Sequence, residues 1–172
     1  MTTLLVIPCF NESERLPRFL PELCEGLKAG AADVAVQLVD DGSSPEEQGA
    51  LRDFAQLVRS EYAFVREPIF LEQNLGKGGA IRAGWSVSSD FDYLAFVDAD
   101  GAAPANETVR FMETLAVLDR EPTLLIATRE PGAGRELERT YSRRIVAKFF
   151  NTLLRIFYGI QIKDTQCGLK AI

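Results

Sequence analysis

Short, mostly apolar runs alternate with amphipathic stretches along this chain. Apolar runs that are bounded by polar or turn-forming residues predict buried strands. We predict strands at 4–7, 34–39, 63–65 with an extension through 70, 93–97 and 124–128. Between the strands, apolar residues recur every three or four positions, which predicts helices. These helices occupy 16–27, 80–87, 106–119 and 139–158, and a further helix begins at 45.

Polar residues mark where two of these helices begin. Ser44 is placed to cap the helix that follows it, Pro45 suits the first helical position, and Glu47 completes a capping box. Asn106 is placed to cap a later helix. Strands that alternate with helices indicate βαβ units, and therefore an α/β fold with a mostly parallel sheet flanked by helices. In such sheets, ligands bind beyond the carboxyl ends of the strands.

The composition narrows the chemistry that this fold could perform. The 172 residues suffice for one domain with its own core, and the 47% hydrophobic and 26% charged residues are typical of globular proteins. The three cysteines are scattered and odd in number, which argues against a disulfide framework and indicates a reducing, cytoplasmic environment. Since the chain contains no histidine, Ser-His-Asp triads, Cys-His pairs and histidine-ligated zinc are excluded.

The net charge of -6 is unevenly distributed. Residues 135–172 carry eight Lys and Arg against three Asp and Glu, whereas the rest of the chain carries eleven against twenty-two. A basic end on an acidic protein suggests an anionic partner there, although a solvated helix face would give the same counts. No apolar run approaches the ~20 residues that cross a bilayer, and the first residues lack the basic region of a signal peptide.

Polar or acidic clusters follow three of the predicted strands, at 8–12, 40–44 and 98–100. Asp98 and Asp100 come directly after a buried strand, and in a turn their carboxylates could converge on one cation. Hard divalent cations such as Mg2+ and Mn2+ favour oxygen ligands, and a metal held there could neutralise a leaving diphosphate. Acidic turns are common, so the position after a strand strengthens this interpretation more than the Asp-x-Asp spacing does.

The other polar turns admit structural and functional interpretations. In the D-D-G-S-S turn at 40–44, we interpret Asp40 as structural and Asp41 as a hydrogen-bond acceptor for a base or ribose. In the G-K-G-G turn at 76–79, backbone N–H groups at a helix start and the charge of Lys77 could hold phosphate. That turn lacks the spacing of a Walker A loop, and taken alone it is more often a flexible turn.

Taken in order, these turns form a set that spans nearly the whole chain. It consists of P-C-F-N-E at 8–12, V-D-D-G-S-S at 39–44, N-L-G-K-G-G-A at 74–80, V-D-A-D-G-A at 97–102 and K-D-T-Q-C-G at 163–168. The chain thereby resembles the inverting family-2 glycosyltransferases of the GT-A fold, which is Rossmann-like. It is most similar to their polyprenyl-phosphate branch, and the last three strings most resemble dolichyl-phosphate β-glucosyltransferases. Dolichol-phosphate mannose synthases often carry glutamine at the position of Ala102, which disfavours that branch.

The resemblance implies a set of residues that would contact the nucleotide and its phosphates. They are Pro8, Phe10, Glu12, Asp41, Lys77 and Arg129. The first three would line the nucleotide pocket, and Asp41 would bind the base. Lys77 would lie near the diphosphate, and Arg129 would reach the donor phosphates or the acceptor phosphate.

The resemblance also implies the residues at the reacting end of the donor. Asp98, Ala99 and Asp100 would bracket the sugar diphosphate, and Asp98 and Asp100 would be catalytic residues that also bind Mg2+ or Mn2+. Asp164, the third expected catalytic residue, and Gln166 would face the sugar or the acceptor. The substrates of such a site would be a nucleoside diphosphate sugar and a polyprenyl phosphate.

The function implied by the resemblance is transfer of a hexose, glucose in this branch, from a UDP-sugar to polyprenyl or dolichyl phosphate. The location would be cytoplasmic and peripheral, at the membrane face. The helix at 139–158 is basic and apolar enough to lie on an anionic membrane, or alternatively to pack on the core. No nucleic acid is expected as a partner. Because relatives continue well beyond D-T-Q-C-G, we expect 1–172 to be a single catalytic domain truncated at its C-terminus.

Two other functions are compatible with the same residues. The first is a family-2 glycosyltransferase that acts on a glycan or protein hydroxyl. That acceptor would need a carboxylate base, for which Asp164 is the obvious candidate. The second is a truncated nucleotide-binding module without catalysis. A nucleotidyltransferase is disfavoured, because the chain has no G-x-G-T-R-like loop near its N-terminus.

Overall fold

The computed structural model describes residues 1–87, 90–118, 124–127 and 167–172, and within these ranges it contains six strands and four helices. The strands are β1 (Thr2–Cys9), β2 (Asp33–Asp40), β3 (Ile69–Phe70), β4 (Tyr93–Val97), β5 (Leu125–Ile126) and β6 (Leu169–Ala171). The helices are α1 (Leu16–Ala29), α2 (Pro45–Glu61), α3 (Lys77–Ser86) and α4 (Ala105–Ala116). Within the described ranges, no helix has the length and apolar character needed to cross a bilayer.

The strands form one six-stranded sheet in the order β3-β2-β1-β4-β6-β5. The pairs β1–β2, β1–β4 and β2–β3 are parallel, and β4–β6 is antiparallel. This confirms the predicted α/β class with a mostly parallel sheet. The chain divides into two compact units. The first comprises 1–125 and 168–172; the second comprises 126–167, of which the structure describes Ile126, Ala127 and Cys167.

Strand β1 lies in the middle of the sheet, and its side chains from Leu4 to Ile7 are fully buried. The sequence predicts that this strand stops at Pro8, but it continues to Cys9. The Cys9 carbonyl accepts a hydrogen bond from the backbone of Asp41 at 2.8 Å, so Pro8 faces the opposite neighbour, β4. Pairing with β4 ends at Val6, so the missing N–H of Pro8 removes nothing from that ladder.

The helices pack on the sheet and on each other at close distance. The apolar residues that recur every three or four positions in α1 are all buried: Leu16, Phe19, Leu20, Leu23 and Leu27. Gly26 of α1 faces α4, where an added Cβ would come within 2.6 Å of Val109 Cγ2. Gly84 of α3 faces the sheet, where an added Cβ would come within 2.8 Å of Val6 and 3.0 Å of Val39. These glycines therefore set how closely the layers approach.

The predicted helix starts are confirmed in one case and wrong in two details. Ser44 caps α2, and its hydroxyl accepts from the Glu47 backbone N–H at 3.4 Å. Glu47 does not complete a capping box, because its carboxylate binds the N–H and hydroxyl of Ser13 at 3.0 and 2.9 Å. Helix α4 begins at Ala105 with Pro104 at the cap position, and Asn106 binds the backbone of its neighbour inside the helix.

Several element boundaries also differ from the prediction. The third strand shortens to β3, with only an isolated bridge between Val65 and Val36 before it. Helix α3 begins at Lys77, so the glycines at 78 and 79 belong to its first turn. Strand β6 is absent from the prediction because three residues carry no periodicity. Thr128, at the end of the fifth predicted strand, and the predicted helix at 139–158 lie outside the described residues.

Candidate functional site

A cleft of about 330 Å³ opens where β1, β2 and β4 end and α3 begins. Eight of the residues predicted for a site line it: Pro8, Phe10, Glu12, Asp41, Lys77, Asp98, Ala99 and Asp100. The remaining lining residues are Cys9, Asn74 and Gly76. The carboxyl ends of parallel strands share one edge of a sheet, which is why turns that are far apart in sequence meet here.

The turn after β1 is tied to the turn after β2 through Asn11. Asn11 adopts a positive φ of 52°, a conformation that asparagine tolerates better than most residues. Its backbone N–H donates to Ser43 Oγ at 2.9 Å, and its side-chain oxygen accepts from the Ser44 N–H at 3.3 Å. Phe10, just before it, is 47% exposed. The site therefore presents an apolar ring on a turn that is fixed from both sides.

Glu12 places a partly unsatisfied carboxylate in the cleft. Its Oε1 accepts from Arg15 Nη2 at 2.6 Å, but Oε2 is buried and, among the described residues, has no hydrogen-bond partner. Burial raises the pKa of Glu12; Arg15 lowers it, and the nearby charges of Asp100 and Asp98 raise it again. A carboxylate in this state favours a ligand that brings a donor group or a cation to Oε2.

Cys9 lies at the end of β1 and lines the cleft, close enough to Glu12 and Asp40 for their charges to act on its thiol. Burial raises the pKa of its thiol far above the ordinary value, and the charges of Glu12 and Asp40 raise it further. The thiol therefore stays protonated near neutral pH, and the cleft does not support thiolate chemistry.

The turn after β2 is closed by hydrogen bonds inside the protein. Asp40 is 1% exposed, and its Oδ2 accepts from the Ser43 N–H and from Gln48 Nε2, both at 3.0 Å. This confirms the structural interpretation of Asp40. Asp41 is 3% exposed, lines the cleft, and accepts from the Leu75 N–H at 2.7 Å. Asp41 thus holds the loop before α3 while facing the cleft.

Gly42 allows the loop before α3 to pack closely against the turn after β2. Its φ is 69°, and an added Cβ would come within 2.6 Å of the Gln73 carbonyl carbon and 2.7 Å of the Asn74 nitrogen. Both contacts are with backbone, which has little freedom to move. The close approach brings Asn74 to the wall of the cleft and places the start of α3 opposite β4.

The turn after β4 is held differently. Asp98 Oδ1 forms an ion pair with Lys77 Nζ, and the Asp98 N–H donates to the Gly168 carbonyl at 3.0 Å. An added Cβ on Gly168 would collide with the Asp98 carboxylate. Asp100 Oδ1 accepts from the Ala102 N–H at 2.9 Å. The two carboxylates therefore share the cleft with one flexible ammonium group.

The oxygen-rich wall of the cleft fits a hard divalent cation. Asp98 and Asp100 supply carboxylates, and the charges of both act on the carboxyl group of Glu12, which lines the same cleft and whose Oε2 is buried. Within the described ranges, no three Asp, Glu, Cys or His side chains form a group that could hold a metal by themselves. A cation at Asp98 and Asp100 would therefore take further oxygen ligands from a bound diphosphate or from water, as Mg2+ and Mn2+ do.

Three predicted site residues, Arg129, Asp164 and Gln166, lie outside the described residues. Two residues that sequence reasoning passed over contribute to the site: Asn74 lines the cleft and Gly168 abuts Asp98. Both belong to strings that the sequence analysis singled out. Their roles depend on contacts with segments distant in sequence, which the strings alone do not show.

Solved structures share this architecture. The glucosyl-3-phosphoglycerate synthase of Mycobacterium tuberculosis, in complex with phosphoglyceric acid, superposes with a TM-score of 0.66 at 20% identity. The match covers 99% of this chain and 56% of that one. A mannosyltransferase from Pyrobaculum calidifontis, in complex with GDP-Man and Mn2+, superposes with a TM-score of 0.59 at 17% identity. It covers 99% of this chain and 44% of that one, and these matches confirm the GT-A fold.

Curated relatives are more similar in sequence. The dolichyl-phosphate beta-glucosyltransferases of Homo sapiens and Saccharomyces cerevisiae are 33% and 30% identical, over 96% of this chain. The polyprenol monophosphomannose synthase of Mycolicibacterium smegmatis is 29% identical over 98% of it. The chain spans 53% of the first two and 60% of the third, roughly half their length. The profile described as Glycosyl transferase family 2 matches residues 4–172, and the chain therefore belongs to that family.

Proposed function

We propose that the chain carries the donor site of a hexosyltransferase that moves glucose from UDP-glucose to a polyprenyl phosphate at the cytoplasmic face of a membrane. The observation that carries the proposal is the cleft, where an exposed aromatic ring, two internal carboxylates, a lysine and an Asp-x-Asp turn meet. The names of the dolichyl-phosphate beta-glucosyltransferases among the curated relatives support the acceptor class and the sugar.

In this proposal, the nucleoside lies between the turns after β1 and β2. Phe10 offers an exposed ring for a base to pack on, and Asp41 accepts a hydrogen bond from a base N–H. Glu12 Oε2, buried and without a partner among the described residues, accepts from a further donor of the ligand. Asp41 is already fixed by the Leu75 N–H, so its carboxylate is oriented before the nucleotide arrives.

The diphosphate lies at the start of α3 in this proposal. The first N–H groups of a helix and its macrodipole favour an anion, and the ammonium of Lys77 adds a full positive charge. Asp98 and Asp100 would hold Mg2+ or Mn2+. The cation would neutralise negative charge on the nucleoside diphosphate as it leaves. The oxygen ligands that the diphosphate provides would complete that coordination.

The reaction is a single displacement at the sugar. An acceptor phosphate oxygen forms a bond to the anomeric carbon, and the bond from that carbon to the nucleoside diphosphate breaks, with inversion. A phosphate monoester is already an anion near neutral pH, so no side chain has to remove a proton from it. This suits a chain that contains no histidine. In this proposal, Asp164 and Gln166 would face the sugar or the acceptor, and Asp164 would be a catalytic residue.

The membrane part of the proposal is supported by charge. Residues 135–172 carry an excess of five basic over acidic residues on an otherwise acidic chain. Anionic lipid attracts a basic segment by about 1 kcal/mol per Lys or Arg near the surface, and salt weakens the attraction. The protein should sediment with phosphatidylserine vesicles at low salt. Replacing Arg143, Arg144 and Lys148 with glutamine should reduce sedimentation without changing UDP affinity.

The decisive experiment combines donor binding with transfer. Calorimetry with UDP, UDP-glucose, GDP and GDP-mannose, with and without Mn2+, identifies the nucleotide. Radiolabelled UDP-glucose with a polyprenyl phosphate then tests transfer into the lipid fraction. Binding of neither nucleotide would contradict the donor site. Binding followed by transfer only to a glycan or protein hydroxyl would replace the proposed acceptor, and binding without transfer would indicate a nucleotide-binding module.

Asp41 gives a sharper test of the nucleoside position. Asp41→Asn keeps an oxygen for the Leu75 N–H but removes the charge, so UDP should bind about tenfold more weakly while stability is retained. Asp33→Asn, an exposed change at the other end of the same strand, is the matched control. Equal UDP affinity in the wild type and Asp41→Asn would remove Asp41 from the nucleotide site.

A further inference from the structure

The ion pair between Lys77 and Asp98 joins two groups that the proposed function assigns to different ligands. Lys77 is assigned to the diphosphate and Asp98 to the divalent cation. In the structure, Lys77 Nζ contacts Asp98 Oδ1 and lies 5.1 Å from the centroid of the Phe96 ring. The Lys77 side chain is 48% exposed and that of Asp98 is 27% exposed. Both residues line the cleft, so the ammonium group contacts an oxygen of the carboxylate to which a cation would bind.

A lysine and a divalent cation compete for that carboxylate. The two positive charges repel each other strongly at a separation of a few ångströms, and Oδ1 cannot accept both at full strength. Lys77 has a flexible four-carbon stem at the first position of α3, so it is free to move a few ångströms toward the helix start. Asp40 differs from Asp98 in its partners, which are a backbone N–H and the side-chain amide of Gln48. Both partners are uncharged, so an anionic ligand would not attract them away from Asp40 as it would attract a lysine.

We propose that Lys77 is the counter-ion of Asp98 in the nucleotide-free protein, and that a bound diphosphate draws Lys77 away and so opens Asp98 to the divalent cation. The inference rests on the proposed function, because it takes the cleft to bind a diphosphate and a cation. It adds an order of events in which the cation binds weakly to the empty cleft and strongly once the diphosphate is present.

The inference makes Lys77 part of the coupling between the two ligands. A diphosphate that removes Lys77 from Asp98 raises metal affinity, and by linkage the metal raises diphosphate affinity by the same factor. Part of that factor comes from direct contact between phosphate oxygens and the metal, which does not depend on Lys77. The contribution of Lys77 is the part that disappears when its charge is removed.

The experiment measures Mn2+ binding to the full chain by electron paramagnetic resonance of free Mn2+, with and without UDP. Lys77→Gln should bind Mn2+ alone at least about threefold more tightly than the wild type, the factor expected from losing a partly exposed ion pair. The enhancement of Mn2+ binding by UDP should shrink, and UDP without metal should bind more weakly. Lys77→Arg keeps the charge and should retain the weak binding of Mn2+ alone.

Arg82→Gln is the matched control, because it removes one exposed positive charge from the same helix away from the ion pair. It should leave both affinities unchanged, and circular dichroism should show each variant folded. Unchanged or weaker binding of Mn2+ alone to Lys77→Gln would overturn the inference while leaving the metal site intact. The same gain in Arg82→Gln would overturn it too, by showing a general charge effect. Absence of Mn2+ binding to every variant, with and without UDP, would remove the metal site and the inference together.

Discussion

The turns after β2 and β4 resemble each other in sequence and differ in how their carboxylates are held. Each follows a buried strand with two aspartates and a glycine at positive φ. After β2, Asp40 and Asp41 accept hydrogen bonds from backbone N–H groups and an amide. After β4, Asp98 is balanced by the flexible ammonium of Lys77. The first turn is fixed as part of the fold, and the second keeps a carboxylate whose partner can be exchanged.

The two turns show that the partner of a carboxylate decides whether its loss affects stability or ligand binding. When a carboxylate that accepts hydrogen bonds from buried donors is replaced, those donors lose their acceptor, and the protein loses stability. A carboxylate paired with a half-exposed lysine contributes little to stability, because solvent screens the pair. We therefore expect substitutions of Asp40 and Gly42 in the β2 turn to destabilise the protein, and substitutions of Asp98 and Asp100 in the β4 turn to affect ligand binding.

The largest expected effect on stability is that of Gly42→Ala. Alanine would have to adopt the positive φ of Gly42, which is unfavourable for a residue with a Cβ. The new Cβ would also clash with the backbone of Gln73 and Asn74. We expect the free energy of unfolding to fall by about 3 kcal/mol, as measured by urea denaturation. Gly49→Ala in α2 is the control, because its Cβ would meet nothing within 4 Å, and it should raise stability by about 0.5–1 kcal/mol. Similar stabilities for the two variants would contradict the tight packing of the β2 turn.

Asp40→Ala should have the next largest effect. It leaves the Ser43 N–H and the Gln48 amide without their acceptor in a turn where Asp40 is 1% exposed. The expected loss is about 2 kcal/mol in the same denaturation experiment. Asp53→Ala, an exposed change in α2, should stay within about 0.5 kcal/mol of the wild type. A loss in both variants would point to net charge rather than to the hydrogen bonds of Asp40.

Gly168→Ala tests the support behind Asp98. The added Cβ collides with the Asp98 carboxylate, which must turn away. We expect a loss of stability of no more than about 1 kcal/mol, since a side chain rather than backbone yields. Affinity for Mn2+ in the presence of UDP should fall about tenfold, as is typical when the support of a metal ligand is disturbed. A variant that lost stability but kept Mn2+ affinity would show that Gly168 serves β6 and not the site.

The smallest expected effect on stability is that of Asp98→Asn or Asp100→Asn. Each removes a charge from a turn whose partners are a half-exposed lysine and a single backbone N–H. Stability should stay within about 1 kcal/mol of the wild type. The enhancement of UDP binding by Mn2+ should disappear in both variants, which calorimetry with and without Mn2+ measures. Retention of that enhancement in the double variant would refute the metal site.

Much of the fold followed from patterns that are local in sequence. The face of α1 and the strand Tyr93–Val97 were predicted because burial periodicity reports which way side chains point. The meeting of three polar turns at one cleft was also predictable, because parallel strands align their carboxyl ends. The cap at Ser44 was predictable because its hydrogen bond is local, with the donor and acceptor residues only three positions apart.

The order of strands and polar turns along the chain was enough to predict that an α/β sheet would bring Phe10, Asp41 and Asp98 to one edge. Which group each carboxylate binds is visible only in the folded chain. Glu47 turns to Ser13 instead of its own helix, and Asp98 lies against Gly168, which is seventy positions later and just before β6. Hydrogen bonds and ion pairs form between groups that are close in space. Periodicity and spacing along the chain do not report which distant segments come close together.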